Sequence, residues 1–590
     1  MECDRDLLVW IVPNKFFPCQ MHLPKTHIII SSKGSKDPLP GNFIKCQEDT
    51  TIYEGARRKR SARTGRKTMF TERNLLHAEG KKLVDQGGNE VILRGTSLGG
   101  WLHREGWMDG GGACLAPLKA VMKAKTVGCI FFEFDEVRRC NRIKTEGDIS
   151  GIFKISASLD GMNWTVAAAA DFAQKGTAKL DNMRPAPYAP GVNVYEEGVF
   201  VQGDVIHTNE FFAKYLMVEA NGITDAMPMR YGDIDEFNAR ALTEHRFGAE
   251  KAEELLDIYQ NCYIRESDID YIKELGFNFV RVPIYWQEIM DKDGKIKENA
   301  WENIDWLLDL CREKEIYVML DYHAAPGGNT MGSITAGHLD SNELWENETY
   351  WQMSMDILTA MASRYQGHPE VACYDLLNEP TTLPVPYVIP DMTGVELPTT
   401  PTLFYKLPER MSMPVRNFYK EAYARVRKVD TKHILCVQQF ADLNLIEQKE
   451  AYGWENVMYQ FHCYPVGDWR DHDSVEASMK AYLAAVKESY AKWTSPAFAG
   501  EFCCWEFTDV WEKWVHALNE LGISWAHWSY KIADPVQKDN WSLFYDYDGV
   551  YVDYYNDSYE QIAEKWSTYN TEHYKNNEKL AALLMKYAAE

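Results

Sequence analysis

From Asp233 onward the chain alternates short apolar runs with stretches of helical period. Apolar runs of 4–8 residues bounded by turn signals suit buried strands, and apolar positions three or four apart suit helices packed on one face. On this basis the pattern predicts helix 266–275 then strand Asn278–Pro283, and helix 301–314 then strand Tyr317–His323. It continues with helix 343–365 then strand 371–377, and helix 415–429 then strand His433–Gln438. A strand at Val457–Tyr464 follows, then helix 475–492 with strand Pro496–Glu501, and helix 510–521 with strand Ile523–Tyr530. Upstream, Gly87-Gly88 separates two short apolar runs, a hairpin signal. The second run leads into Arg94-Gly95-Thr96-Ser97-Leu98-Gly99-Gly100-Trp101, a strand ending in a Gly-rich loop with an exposed-looking Trp. Counting that strand, eight strands alternate with helices, and eight such units predict a closed parallel (β/α)8 barrel.

Between the first barrel strand and Asp233 the texture changes. From Cys114 to Met227 short alternating runs such as Gly128–Phe134, Phe153–Ser158 and Tyr215–Glu219 are separated by turns rich in Gly, Asn and Asp. This predicts an all-β sandwich at 113–228, inserted after barrel strand 1 and leaving the barrel to residues 69–112 and 229–590. Ser158–Trp164 and Phe212–Val218 resemble segments of discoidin-like jelly rolls. Two roles stand open for the module: carbohydrate binding, or a lid that shapes the cleft. Residues 1–68 differ from the rest and carry the basic stretch Arg57–Arg63, and we read them as a disordered or non-native extension.

Composition narrows the function. A net charge of −24 argues against a nucleic-acid partner, whose phosphates need a basic footprint. No apolar run approaches a membrane span, and no secretory leader is evident at Met1 or Met69. The 13 Cys form no dense framework, which together with the missing leader predicts reduced thiols and a cytoplasmic location. Neither CxxC nor HExxH spacing occurs, so no metal centre or cofactor is expected. With 19 Trp and 33 Tyr the chain is rich in rings that pack cores and also stack on sugar faces.

The chemistry lies in the residues that end the strands. Leu376-Leu377-Asn378-Glu379-Pro380 reads either as a helix start capped by Asn378 or as a strand end delivering an amide and a carboxylate. Glu501, closing another strand, decides for the second. The strand ends together hold Arg281, His323, Asn378, Glu379, His462, Tyr464, Glu501 and Trp528. A barrel gathers such ends into one bowl. Two facing carboxylates without a metal set suit glycoside hydrolysis, one protonated as acid and one ionised as nucleophile. Arg281 and Tyr464 are suitable neighbours for the ionised one.

Arg94–Trp101, Arg281-Val282-Pro283, Leu320–Gly328, Asn378-Glu379-Pro380, His462-Cys463-Tyr464, Gly500-Glu501-Phe502 and Trp528 resemble glycoside hydrolase family 5, retaining (β/α)8 enzymes. The opening and the His323 loop are most similar to its exo-β-1,3-glucanase and β-glucosidase branch. The resemblance implies Glu379 as acid/base and Glu501 as nucleophile. It also implies Arg281, His323, Asn378, His462, Tyr464 and Trp528 as contacts to an oligosaccharide, polysaccharide or β-glucoside. Thr96-Ser97, the long Pro-rich loop after Glu379, Cys503-Cys504 and the β insertion depart from that pattern. The expected activity is therefore hydrolysis of β-glucosidic bonds. The alternatives are glycosylceramidase, β-mannosidase or endo-β-glucanase specificity, or a carbohydrate-binding barrel without turnover.

Overall fold

The computed structural model describes residues 69–590 apart from 110–113, 119, 173–182, 186–192, 196–199, 203–204, 233, 331–333, 339–340, 383–392, 397, 534–541 and 555. The 1–68 extension, the Gly110–Gly112 triplet and part of the Pro-rich loop therefore lie outside the described residues. Eight parallel strands close into a barrel. They are β1 Arg94–Ser97, β2 Phe279–Tyr285, β3 Tyr317–Ala324, β4 Val371–Asp375, β5 Ile434–Gln438, β6 Val457–Cys463, β7 Ala497–Phe502 and β8 Ser524–His527. Ten longer helices accompany them: α1 Glu236–Phe247, α2 Ala249–Tyr263, α3 Glu266–Glu274, α4 Glu302–Lys314, α5 Glu348–Tyr365, α6 Glu409–Val426, α7 His472–Lys492, α8 Thr508–Glu520, α9 Tyr559–Trp566 and α10 Glu578–Ala588. The strands are buried along their whole length wherever both faces are covered, as in β2 to β8. That burial is why they read as near-continuous apolar runs.

The barrel interior is stratified. Side chains of alternate positions point inward. At the base Phe279, Tyr317, Met319, Cys373, Ile434, Cys436, Met458, Phe498 and Ala526 form one apolar cluster. Leu76 and Leu83, from a three-stranded sheet built on His77–Glu79, Lys82–Val84 and Glu90–Val91, pack into that cluster and plug the bottom. Two residues further along the same strands stand Arg281, Asp321, Asp375, Gln438 and Gln460, polar and 0% exposed. The outward set, including Val280, Val282, Leu320, Tyr322 and Val437, belongs to the larger core shared with the helices.

One register step aims the future site. Phe461 pairs with Ala499, but His462 pairs with Glu501, so Gly500 is the extra residue of a bulge. Strict alternation from inward Phe498 would turn Glu501 toward the helices; the bulge turns it into the barrel mouth. Gly500 also has a packing reason. A Cβ there would meet Gln460 Cδ at 2.6 Å and Oε1 at 2.7 Å, so only glycine lets the Gln460 side chain cross.

The residues between β1 and α1 form an antiparallel six-stranded sheet dominated by Cys129–Ser158 and Val205–Gly232. Its core, with Ile130, Phe132, Phe153, Ile155, Leu216 and Val218, is separate from that of the barrel. Its first strand, Cys114–Pro117, pairs with Met229–Gly232 at its end, so chain leaves and returns at one place. Arg104 before the module forks onto Glu236 after it, with contacts of 2.8 and 3.0 Å. This buried pair ties the two junctions to the barrel. Helices α1 and α2 were not anticipated; α1 has a weak apolar face, whereas α2 buries Leu255, Leu256, Tyr259 and Tyr263 and packs against α9. Trp101, expected to be exposed, is 0% exposed and donates Nε1–H to the Gln260 carbonyl at 2.9 Å. The correction follows from α2, whose Tyr259 and Tyr263 cover the Gly-rich loop. No described helix is long and apolar enough to cross a membrane.

Gly500→Ala is expected to destabilise the barrel by about 1–3 kcal/mol through overpacking against Gln460. Thermal unfolding checks this, and an unchanged melting temperature would show that Gln460 swings aside freely.

Candidate active site

Arg281 occupies the centre of the polar layer and is fully buried. Its Nη1 donates to Glu501 Oε1 at 2.6 Å and its Nη2 to Asn378 Oδ1 at 2.7 Å. Asp321 Oδ2 lies 2.9 Å from Nη2 and Asp375 Oδ2 3.7 Å. One guanidinium thus organises groups from β2, β3, β4, β7 and the segment after β4. An unpaired buried cation would be costly by several kcal/mol, so the carboxylates are obligatory partners.

The pentapeptide after β4 is a strand end; the next described long helix starts only at Glu409. Asn378 N–H donates to the Tyr322 carbonyl and Glu379 N–H to Gln438 Oε1 at 2.8 Å. Glu379 adopts φ 43°, the left-handed region that residues with a Cβ enter at some energetic expense. Asn329 Nδ2 donates to the Asn378 carbonyl at 2.7 Å and holds that turn from the other side. Above it, His462 Nδ1 contacts Glu379 Oε1 at 2.8 Å and Glu501 Oε2 at 3.6 Å. Gln460 Nε2 faces His462 Nε2 at 3.3 Å, and since the amide can only donate, the imidazole carries its proton on Nδ1. Tyr464 O–H donates to Glu501 Oε2 at 2.6 Å. His323 is held from below by Asp321 Oδ2 on Nδ1 at 2.6 Å, accepts from Asn378 Nδ2 at 3.1 Å, and stacks on Trp528 at 5.7 Å.

The eight strand-end residues expected from the sequence therefore stand around one bowl. Sequence reasoning passed over four more: Asp321, Asp375, Gln438 and Gln460. Gln438 Nε2 donates to Asp375 Oδ2 and Asn378 Oδ1, both at 3.0 Å, and Gln460 Nε2 to Asp375 Oδ2 at 2.7 Å. Their signal was present in the two-residue period: Asp321 and Gln460 stand two positions before His323 and His462. His103 and Glu105, from the loop after β1, were also missed; both are buried beside His323.

Electrostatics separates the two glutamates. Burial pushes Glu379 up to about 7, with Arg281 only weakly opposing. Burial also raises Glu501, opposed by the Arg281 guanidinium and the Tyr464 hydroxyl. Burial likewise raises Asp321 and Asp375 to about 7 each. For Asp375 the neighbouring Asp321 carboxylate adds to that rise, and Arg281 opposes it at both. Burial lowers His462 to about 4, so its imidazole is neutral. The bowl therefore holds one carboxyl lifted to about 7 and a second one gripped by Arg281 and Tyr464. One oxygen of each lies within 4.8 Å of the other.

Tyr464→Phe removes a donor that favours ionised Glu501, so the Glu501 pKa is expected to rise. Carboxyl-labelled NMR titration checks the direction; an unchanged or lower value would show that the hydroxyl does not support the charge.

A family model described as Cellulase (glycosyl hydrolase family 5) matches residues 236–534, just over half of the chain. The chain is similar to "Beta-xylosidase" of Phanerodontia chrysosporium, 25% identical over 329 residues, covering 50% of this chain and 62% of that protein. It is similar to "Glucan 1,3-beta-glucosidase" of Candida oleophila, 25% identical over 270 residues, covering 44% and 54%. The matched stretches thus span less than two thirds of either relative. Among solved structures, rutinosidase from Aspergillus niger is 17% identical with a TM-score of 0.42, covering 52% of this chain and 86% of that one, a likeness that carries no argument. The barrel, the strand-end residues and the family match over its catalytic half lead to one conclusion: the chain belongs to glycoside hydrolase family 5.

Proposed function

We propose that this glycoside hydrolase is a retaining β-glycosidase, cleaving β-glucosidic bonds from a chain end by double displacement. The observation that carries the reading is the unequal pair Glu379 and Glu501, with oxygens within 4.8 Å. Retaining enzymes hold their carboxyl groups about 5–5.5 Å apart, whereas inverting ones leave roughly 6.5–9.5 Å for a water. In this reading Glu501 attacks the anomeric carbon while Glu379 gives its proton to the leaving glycosidic oxygen. Arg281 and Tyr464 release hydrogen-bonding from the carboxylate as its charge moves into the new ester bond. Glu379, now ionised, takes a proton from water, which attacks the same carbon and frees Glu501. Neutral His462 donates to Glu379 and keeps it oriented through both halves. Asn378 is positioned for the sugar 2-hydroxyl, and Trp528 for the ring face. Chain-end action is supported by buried His103 and Glu105 beside His323, and by the relative named glucan 1,3-beta-glucosidase. The relative named β-xylosidase favours a second reading, the same chemistry on a pentose. For the β module we propose a role in shaping the cleft, supported by the Arg104–Glu236 tie next to Glu105.

Glu501→Gln is expected to lower kcat by about 10⁴-fold or more while leaving ligand binding in place. Glu379→Gln should lower kcat roughly 10²–10⁴-fold on poor leaving groups and far less on aryl leaving groups that need no proton. Full activity of Glu501→Gln would refute the assignment. Since Glu379 must be protonated, kcat/KM should fall as pH rises through about 7, the value to which burial lifts it. That basic limb should vanish in Glu379→Gln. NMR of the first-formed anomer tests retention, and sizing products from laminarin and aryl glucosides or xylosides tests chain-end action and sugar.

A further inference from the structure

The loop leaving β1 brings a second constellation to the bowl. His103, Glu105 and His323 are all buried, and one ligand atom of each lies within 4.8 Å of the others. His103 Nε2 lies 3.0 Å from the Thr335 carbonyl, which can only accept. Nε2 therefore carries the proton, and the lone pair sits on Nδ1. That atom is buried without a hydrogen-bond partner, in a residue 1% exposed. A buried acceptor left unmade is destabilising, so this one calls for a ligand. The ring is locked in place, stacked on Tyr285 at 5.8 Å and tilted against His323 at 4.8 Å. His323 is oriented in the same manner: Asp321 takes Nδ1–H at 2.6 Å and leaves Nε2 facing the bowl.

We propose that His103, Glu105 and His323 form a binding site for a borderline divalent transition ion of the Zn²⁺ class. Two imidazole nitrogens and one carboxylate oxygen would serve as ligands, with a fourth position open to water. A carbonyl behind one ring and a carboxylate behind the other is the arrangement that fixes ligating histidines in protein zinc sites. Two nitrogen donors select against Ca²⁺ and Mg²⁺, which prefer oxygen. The neighbouring trio Glu379, His462 and Glu501 is equally close but lacks an idle lone pair on its imidazole. Capture of the ion by His323 Nε2 displaces the Asn378 amide, which now donates to it. The ion and the sugar therefore compete, a consequence that rests on the function proposed above; the binding itself does not.

Calorimetric titration of the whole chain with Zn²⁺ alone tests the site. One ion is expected to bind, and Co²⁺ in its place should show the intense visible absorption of a four-coordinate ion. His103→Gln and Glu105→Gln should each weaken Zn²⁺ by at least about tenfold, whereas Glu379→Gln should leave affinity within about twofold. Absence of Zn²⁺ binding, or binding lost in Glu379→Gln and kept in His103→Gln, overturns the proposal. If circular dichroism shows His103→Gln unfolded, the Co²⁺ spectrum of the parent chain decides: a pale six-coordinate spectrum overturns it. Zn²⁺ that binds but does not compete with a glucose-type inhibitor sinks the competition alone. Zn²⁺ binding retained alongside full activity of Glu501→Gln would sink the glycosidase mechanism and leave the metal site standing.

Discussion

The Arg281 guanidinium, sealed inside the barrel, is the constraint on which the site depends. A cation with no access to water must be met by anions, and the nearest come from three other strands: Asp321, Asp375 and Glu501. Those contacts fix strands β2, β3, β4 and β7 relative to one another at the level of the bowl. The two glutamines then complete the layer, both donating to Asp375 Oδ2, the oxygen that also faces Arg281. Gln438 does more than fill space. Its amide donates to Asp375 and Asn378 while its carbonyl receives the Glu379 N–H, so the left-handed turn at Glu379 is set by the polar floor beneath it.

One cation cannot keep four carboxyl groups ionised in a dry interior. Glu501 receives both Nη1 and the Tyr464 hydroxyl. Burial lifts Asp321 and Asp375 to about 7, and Glu379, joined to neutral His462, is lifted to about 7 as well. The two glutamates thus differ in their partners, and the layer sets that difference. The same layer orients His323 through Asp321, which leaves its upper nitrogen available both to Asn378 and to whatever His103 and Glu105 recognise.

Much of this was legible in the chain and some was not, for particular reasons. The eight barrel strands stood out because parallel strands covered on both faces must be apolar throughout. A polar residue at the end of such a run is conspicuous, which is how Arg281, His323, Asn378, Glu379, His462, Glu501 and Trp528 could be named. Asp321 and Gln460 are inside the runs, where a single polar residue reads as noise unless the inward parity is known, and Asp375 and Gln438, which close β4 and β5, were passed over for the residues beyond them. Trp101 was misread because its cover, α2, lies after the β module, over a hundred residues later. His103 carries no local mark either; its idle Nδ1 follows only from Thr335 taking the other nitrogen.

The sequence by itself determined the alternation of strands and helices, the barrel that follows from eight such units, the change of texture between Cys114 and Met227, and the acidic and basic groups at the strand ends. Local periodicity and covalent order suffice for these. Only the tertiary structure decided which way each group faces and in what state it is charged. The bulge at Gly500 turns Glu501 inward, Arg281 and Tyr464 grip Glu501 while burial lifts Glu379, and the β1 loop closes His103 and Glu105 onto His323. Facing and charge depend on distances of a few ångströms between residues hundreds of positions apart, and such distances exist only once the barrel is closed.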